Sequence, residues 1–286
     1  MMGVGAVLDA AIERLGAAGV PEPRPDAEVL LAHALGTSRA GVIMRAREPL
    51  SPEVAAHVER LLARRAAREP VHYLIGEREF WSLPFTVDAR VLIPRPETEL
   101  LVETALVVAS AARRVLDLGT GSGAIAAALA RALPAARVWA CDLDRDALAV
   151  TRENFARHAP QVGCVAADLA AAFRAGAFDL VVSNPPYVSD AELDTLDPEV
   201  RDHEPRAALG GGPDGLVVIR RLIAEVPHAL AASGWLVMEI GAGQSGAVAE
   251  LVAAEERWLR PRLWRDHAGT ERVVAVERRR GEWTRS

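Results

Sequence analysis

A mostly parallel, seven-stranded α/β sheet behind a small all-helical N-terminal domain is the architecture that this 286-residue sequence predicts. Three observations carry the prediction. From Val4 to about Arg68 the chain is helical in period and rich in Ala and Leu. From Glu77 to Val91 it turns aromatic and β-branched around Pro84. From Glu97 onward short apolar runs alternate with amphipathic stretches, the pattern of parallel strands joined by crossover helices that cover both faces of a sheet.

The N-terminal helices are punctuated at Pro21–Pro25, Gly36 and Pro49, which implies three or four of them. Gly36 stands where a left-handed residue would close the helix that begins near Asp26, and Ser51-Pro52 reads as an N-cap followed by proline in the first turn. His33, His57 and His72 are isolated and read as structural. The segment with Phe80, Trp81, Phe85, Thr86 and Val87 predicts a hairpin. The expected organisation is therefore a helical domain over 1–75, a hairpin connector over 76–95 and an α/β domain over 96–286. In the last of these, helices are expected at 97–109, 123–132, 145–158, 214–231 and 245–256. Strands are expected at 113–118, 137–141, 162–166, 178–183, 235–240, 260–266 and 271–277. In such a sheet ligands bind at the carboxyl ends of the strands.

Composition narrows the function classes. Half of the residues are hydrophobic and a quarter are charged, which excludes a disordered, collagenous or coiled-coil chain. No apolar run is long and clean enough for a membrane span, and Met1–Ala11 has no basic n-region and meets Asp9 early, so neither anchor nor secretory leader is expected. Cys141 and Cys164 are too few for a disulfide framework and fit a reducing, cytoplasmic setting. All 33 basic residues are Arg against 39 acidic ones, a net charge of −6. That balance lacks the electrostatic footprint of a duplex binder and argues against direct nucleic-acid binding. Arg278–Arg280 reads as a solvated tail.

Chemistry concentrates after the strands. Val115-Leu-Asp-Leu runs into Gly119, Thr120, Gly121, Ser122 and Gly123 and then a helix, so a flexible backbone and free N–H groups meet there. The glycine spacing departs from both the dinucleotide and the phosphate-loop patterns. The second strand ends in Asp142, whose carboxylate can accept from both hydroxyls of a ribose. Asp144 and Asp146 fit the N-cap and first turn of the next helix. Asp168 and Leu169 follow the third strand, where an adenine would be met. Leu180-Val-Val-Ser183 stops at Asn184, Pro185, Pro186 and Tyr187. Two prolines fix the turn, so Asn184 offers a side-chain carbonyl and Pro185 a main-chain one, together able to hold both hydrogens of a planar –NH₂. Tyr187 could cover its face. No His/Asp or Cys/His arrangement and no metal-ligand spacing is present.

Gly-Thr-Gly-Ser-Gly, the acid after the second strand and Asn-Pro-Pro-Tyr resemble class I S-adenosylmethionine-dependent methyltransferases, with their Rossmann-like fold, that act on planar amide or amino nitrogens. Tyr73-Leu-Ile-Gly76, Phe80-Trp81, Leu92-Ile-Pro-Arg-Pro-Glu-Thr-Glu99 and Val200-Arg-Asp-His-Glu-Pro-Arg-Ala-Ala-Leu209 narrow the resemblance to the HemK/PrmC release factor glutamine methyltransferases, over about residues 70 to 280. The resemblance implies S-adenosylmethionine on Gly119, Thr120, Gly121, Ser122 and Gly123, Asp142 on its ribose, Asp168 and Leu169 at its adenine, and Asn184 beside the reactive methyl. It implies that Asn184, Pro185, Pro186 and Tyr187 hold the substrate glutamine, with Asn184, Pro185 and Tyr187 catalytic. The family often carries an aromatic where Leu169 stands, so apolar packing replaces stacking. Arg95, Pro96 and Glu97 would open a helix closing over the cofactor. The implied reaction is methylation of the glutamine of the Gly-Gly-Gln motif in peptide chain release factors, with the 1–75 domain recognising that protein. Rival readings are a ribosomal-protein glutamine methyltransferase, an adenine-N6 methyltransferase and a dinucleotide-dependent oxidoreductase.

Overall fold

The computed structural model describes residues 3–280. In chain order the elements are α1 (Val4–Ala17), α2 (Pro23–Leu35), α3 (Arg39–Met44), α4 (Pro52–Ala66), α5 (Val71–Ile75), β1 (Glu77–Phe80), β2 (Leu83–Thr86), α6 (Glu99–Val108), β3 (Arg114–Leu118), α7 (Ala124–Ala132), β4 (Arg137–Asp142), α8 (Arg145–His158), β5 (Gly163–Ala166) and β6 (Phe178–Ser183). The second half adds α9 (Asp190–Leu193), α10 (Pro198–Arg201), α11 (Arg206–Leu209), α12 (Val217–Ala229), β7 (Leu230–Glu239), α13 (Ser245–Ala254), β8 (Arg262–Arg265) and β9 (Glu271–Glu277).

Two compact units result. The first comprises Met1–Glu77 together with Asp197–His203, and the second Arg78–Leu196 with Glu204–Ser286. In the first unit Leu15, Leu30, Leu31 and Val42 are fully buried among α1–α4. Its helix ends follow the sequence signals. Ser51 Oγ accepts from Val54 N at 3.3 Å with Pro52 opening α4, and Gly36 closes α2 in the left-handed region. The Asp197–His203 segment is a feature that periodicity did not announce. Arg65, buried on α4, donates to Asp26 Oδ2 at 2.6 Å and to Glu199 Oε1 at 2.7 Å, and Arg68 Nε donates to the same Glu199 oxygen at 2.7 Å. Burial alone would raise the Glu199 carboxyl, but the hydrogen bonds from Arg68 and Arg65 outweigh it and bring the pKa down to about 2. A buried cation with two carboxylate partners is strongly destabilised by loss of either one.

The second unit is the predicted α/β fold, with sheet order β5-β4-β3-β6-β7-β9-β8. Pairings β5·β4, β4·β3, β3·β6 and β6·β7 are parallel, whereas β9 runs antiparallel to both β7 and β8. The strand order reverses at β3, and a crevice opens at such a switch point beside the carboxyl ends of β3, β4 and β6. Strands β3 and β6 are buried along nearly their whole length, as central parallel strands are, and Leu116, Leu118, Leu180 and Val181 are fully buried. The hairpin β1–β2 is integral to this unit. Phe80 and Phe85 meet edge-to-face within its core, and Thr86 N donates to Asn154 Oδ1 of α8 at 2.7 Å.

Boundaries shift where turn chemistry competes with periodicity. Helix α12 starts at Val217 instead of 214 because Asp214 Oδ1 accepts from Leu216 N at 3.1 Å in a turn that Gly215 completes at a φ of +73°. Strand β7 begins at Leu230, earlier than its apolar run, through an irregular register against Phe178 and Leu180 and a left-handed Ser233. The Arg278–Arg280 segment is exposed at Arg279 and Arg280, as expected, but its side chains are hydrogen-bonded to the fold. Arg278 donates to Leu230 O, Arg279 Nε to Glu256 O at 2.9 Å and Trp258 O at 3.0 Å, and Arg280 Nε to Ser233 Oγ at 2.7 Å. The acceptors are main-chain carbonyls for Arg278 and Arg279 and a serine hydroxyl for Arg280.

Candidate active site

A cavity of about 320 Å³ lies at the carboxyl ends of β3, β4 and β6, wholly within the second unit. Gly119, Thr120, Gly121 and Ser122 form one side of it and Asn184 and Pro186 another.

The glycine side is made by the backbone. Gly119, Gly121 and Gly123 have φ of +70°, +55° and +83°, a region costing other residues about 1–2 kcal/mol each. A Cβ at Gly119 or Gly121 would meet nothing within 4 Å. These two glycines therefore face open cavity, and their backbone is available to a bound group. At Gly123 a Cβ would lie 2.6 Å from Phe155 Cε1, so there the small residue lets α7 pack on α8. The loop is pinned from beneath: Gly119 N and Thr120 N both donate to Cys141 O, at 2.9 and 3.0 Å. Thr120 Oγ1 donates at 2.6 Å to Asp117, a fully buried carboxyl whose pKa burial pushes up to about 7 against the pull of that hydroxyl.

Asp142 ends β4 and lines the cavity. Its Oδ2 accepts from Gly121 N and its Oδ1 from Asp144 N, each at 2.9 Å. Each oxygen retains a lone pair for a further donor. Burial raises its pKa, with the Gly121 and Asp144 amides opposing. Asp144 is the N-cap of α8, accepting from Asp146 N at 2.8 Å. Asp168 and Leu169 also line the cavity. Asp168 is exposed and held by Arg221 Nη1 at 3.0 Å. Leu169 sits at a φ of +46°, and a strained non-glycine residue of this kind persists only where its surroundings impose it. One such constraint is the Cys141 thiol, which approaches Ala167 O at 3.3 Å and Leu169 O at 3.5 Å. Burial, then the Asp142 charge, push that thiol up to about 12, so it stays protonated.

The Asn184 side is made by side chains. Ser183 Oγ donates to Leu118 O at 2.8 Å and ties the end of β6 to β3. Gln244 Nε2 donates to Tyr187 O at 2.9 Å and fixes the far end of the Asn-Pro-Pro-Tyr turn. Asn184 Nδ2 donates to Thr98 Oγ1 at 3.2 Å. Pro185 is buried, and neither it nor Tyr187 is among the lining residues; the Tyr187 hydroxyl donates to Glu239 Oε1 at 3.1 Å. Burial, then the Glu239 charge, raise the tyrosine pKa, so the phenol is a fixed donor. Arg95 Nη2 donates at 2.6 Å to Glu204, which is buried and also lies 3.4 Å from Ile93 N. That pair fastens the 91–95 strip of the wall to Pro205, Ala207 and Ala208 across it.

The chain is similar to known proteins over most of its length. Residues 6–76 match the PrmC N-terminal domain, and residues 96–199 match the methyltransferase small domain. A release factor glutamine methyltransferase of Deinococcus radiodurans is 43% identical over 96% of this chain and 98% of its own length. One from Geobacter sulfurreducens is 45% identical over 85% of each chain. The chain belongs to the release factor glutamine methyltransferase family. Among solved structures, the hMettl16 catalytic domain in complex with MAT2A 3'UTR hairpin 6 superposes with a TM-score of 0.56 at 15% identity, covering 79% of this chain and 84% of that one, which shows the shared fold.

Within this family member, several supporting residues escaped motif reading. Thr151 Oγ1 donates to Gly121 O at 2.7 Å, and Asn154 Nδ2 donates to Ser122 O at 2.9 Å and to Thr86 O at 3.0 Å. Both are fully buried on α8, facing the glycine loop. Polar residues at i and i+3 on an otherwise core-facing helix were the available signal. Glu239, 2% exposed at the end of β7, had no sequence signal beyond a charge closing an apolar strand.

Proposed function

We propose that this protein methylates the side-chain amide nitrogen of the glutamine in the Gly-Gly-Gln motif of peptide chain release factors, using S-adenosylmethionine bound in the cavity. The observation that carries the reading is Asn184, an amide on a rigid double-proline turn opposite a glycine-built cradle. The names of the curated relatives supply the substrate class. No helix among the described residues is long and apolar enough to cross a membrane, and we place the reaction in the cytoplasm with its partner.

The cradle suits such a cofactor. Gly119, Thr120, Gly121 and Ser122 would carry it, with Gly123 packed against Phe155 behind them and not on the cavity, Asp142 would accept from its ribose, and Asp168 and Leu169 would border its adenine. When bound, S-adenosylmethionine supplies a sulfonium methyl whose C–S bond breaks with its electron pair left on sulfur as the N–C bond forms. The chain's own task is to prepare a poor nucleophile. Asn184 Oδ1 accepts a hydrogen of the incoming amide, which aims its nitrogen and stabilises the positive charge growing on it, while Pro185, which does not line the cavity, fixes the turn that presents Asn184. The alkylated nitrogen becomes strongly acidic, so its surplus proton passes to solvent without a dedicated base. Pro186 and Tyr187 keep the turn rigid and its face apolar, and the helical unit over 1–75 offers a second surface for the partner protein.

The test is incubation of the full chain with labelled S-adenosylmethionine and a release factor, followed by mass spectrometry of the Gly-Gly-Gln peptide. One added methyl on that glutamine is expected. Label on an adenine, or on a ribosomal protein while the release factor is untouched, would overturn the reading.

A further inference from the structure

We infer that Thr98 and Glu239 form a positioning relay that locks the Asn184 carboxamide with its carbonyl oxygen presented to the substrate. The inference rests on the amide-holding reading above and adds the residues that make it work.

The relay is read from donor and acceptor directions. Glu239 is 2% exposed, does not line the cavity and accepts one hydroxyl on each oxygen: Thr98 Oγ1 on Oε2 at 2.7 Å and Tyr187 on Oε1 at 3.1 Å. A hydroxyl has a single hydrogen, so Thr98, having given its own to Glu239, can only accept from its other side. That remaining acceptor meets Asn184 Nδ2 at 3.2 Å. The reversed amide would set Asn184 Oδ1 against an oxygen with no hydrogen to share, leaving the buried Thr98 acceptor without a donor. The carboxamide is thus held with its nitrogen toward Thr98 and its oxygen turned away from it, where it can accept from a planar amide.

The relay is also held at its ends. Thr98 is 4% exposed in the turn that opens α6, and β7 runs parallel to β6 with Ser183 opposite Met238, so Glu239 follows beside Asn184. Burial pushes the Glu239 carboxyl up, while the Thr98 and Tyr187 hydroxyls and the nearby Arg272 charge act in the opposite direction. The same carboxylate therefore orders both polar ends of the Asn-Pro-Pro-Tyr turn, and neither Thr98 nor Glu239 needs to touch the reacting atoms.

Thr98→Val keeps the shape and removes the hydroxyl, Thr98→Ser restores it, and Glu239→Gln keeps the size but places an N–H₂ donor against one hydroxyl. Assayed in the full chain against a release factor, Thr98→Val and Glu239→Gln should lower kcat on the order of 10- to 100-fold. The Kd for S-adenosylmethionine should stay within about threefold, and Thr98→Ser should recover most of the lost turnover. An independent readout needs no acceptor protein: the Asn184 side-chain N–H₂ resonances in ¹⁵N NMR should shift and exchange faster with water in Thr98→Val, and return in Thr98→Ser. If Thr98→Val leaves kcat and those resonances unchanged, the relay is wrong. If the resonances move as described but the unaltered protein does not methylate the release factor, the relay stands and the substrate reading falls. Should Thr98→Val fail to fold, Glu239→Gln gives the same two readouts.

Discussion

The two sides of the cavity are built by different means. The Gly119–Gly123 side is main chain, its three positive-φ glycines set over Cys141 O and braced by Thr151 and Asn154. The Asn184 side is side chain, a carboxamide oriented by Thr98, which is itself oriented by Glu239. Backbone amides point where the fold puts them and suit a constant ligand, whereas a carboxamide can be reversed and needs a second layer to choose its direction. Binding should therefore fail gradually when the glycine side is altered, and turnover should fail sharply when the Asn184 side is.

The largest effect should come from Asn184→Ala, with kcat toward the release factor falling about 10²- to 10³-fold, or ~2.7–4 kcal/mol of barrier. Calorimetry on the same variant should find S-adenosylmethionine binding almost unchanged; equal losses in both would dissolve the contrast between the two sides. Next, Asp142→Ala should weaken cofactor binding by roughly 1.5–3 kcal/mol through loss of charge-assisted hydrogen bonds, with kcat at saturating cofactor much less affected. Equilibrium titration decides it, and an unaltered Kd would remove Asp142 from the ribose. Smaller and sharper is the pair Gly121→Ala and Gly123→Ala. Both carry about 1–2 kcal/mol of left-handed strain, but only the second adds a clash with Phe155. Thermal melts should show Gly123→Ala the less stable, while Gly121→Ala, whose methyl enters the cavity, should lose more cofactor affinity than its stability loss accounts for. Smallest is Thr151→Val, which removes one buried hydrogen bond to Gly121 O and should cost about 0.5–1.5 kcal/mol in denaturant unfolding. An equal drop in turnover with cofactor binding intact would show that the glycine side also governs chemistry.

Legibility in the sequence followed the same division. The seven-stranded α/β class, the strands before Gly119 and Asn184 and the helical start of the chain were all readable, because burial period and glycine or proline punctuation are local properties. Asp144 as the cap of α8 and Ser51 as the cap of α4 were readable for the same reason. Less legible were the three short helices within 190–209, which are too brief to show a period, and the early start of β7, where sheet pairing overrode the apolar pattern.

What the sequence determined by itself is the set of positions where the chain must turn, bury or expose a carboxamide: Gly119 to Gly123, Asp142, and Asn184 with its two prolines. Tertiary structure alone decided which distant residues complete them. Glu199 enters the Arg65 and Arg68 cluster, Glu204 meets Arg95, and Glu239 reaches Asn184 through Thr98. Each joins residues separated by dozens of positions, and a single carboxylate at a strand or helix end carries no mark of its partner. The pairing is fixed only when strand order and crossover direction bring the two ends to the same edge of the sheet, or when the loop returns to the helices. There burial makes an unpaired charge costly enough to select one geometry.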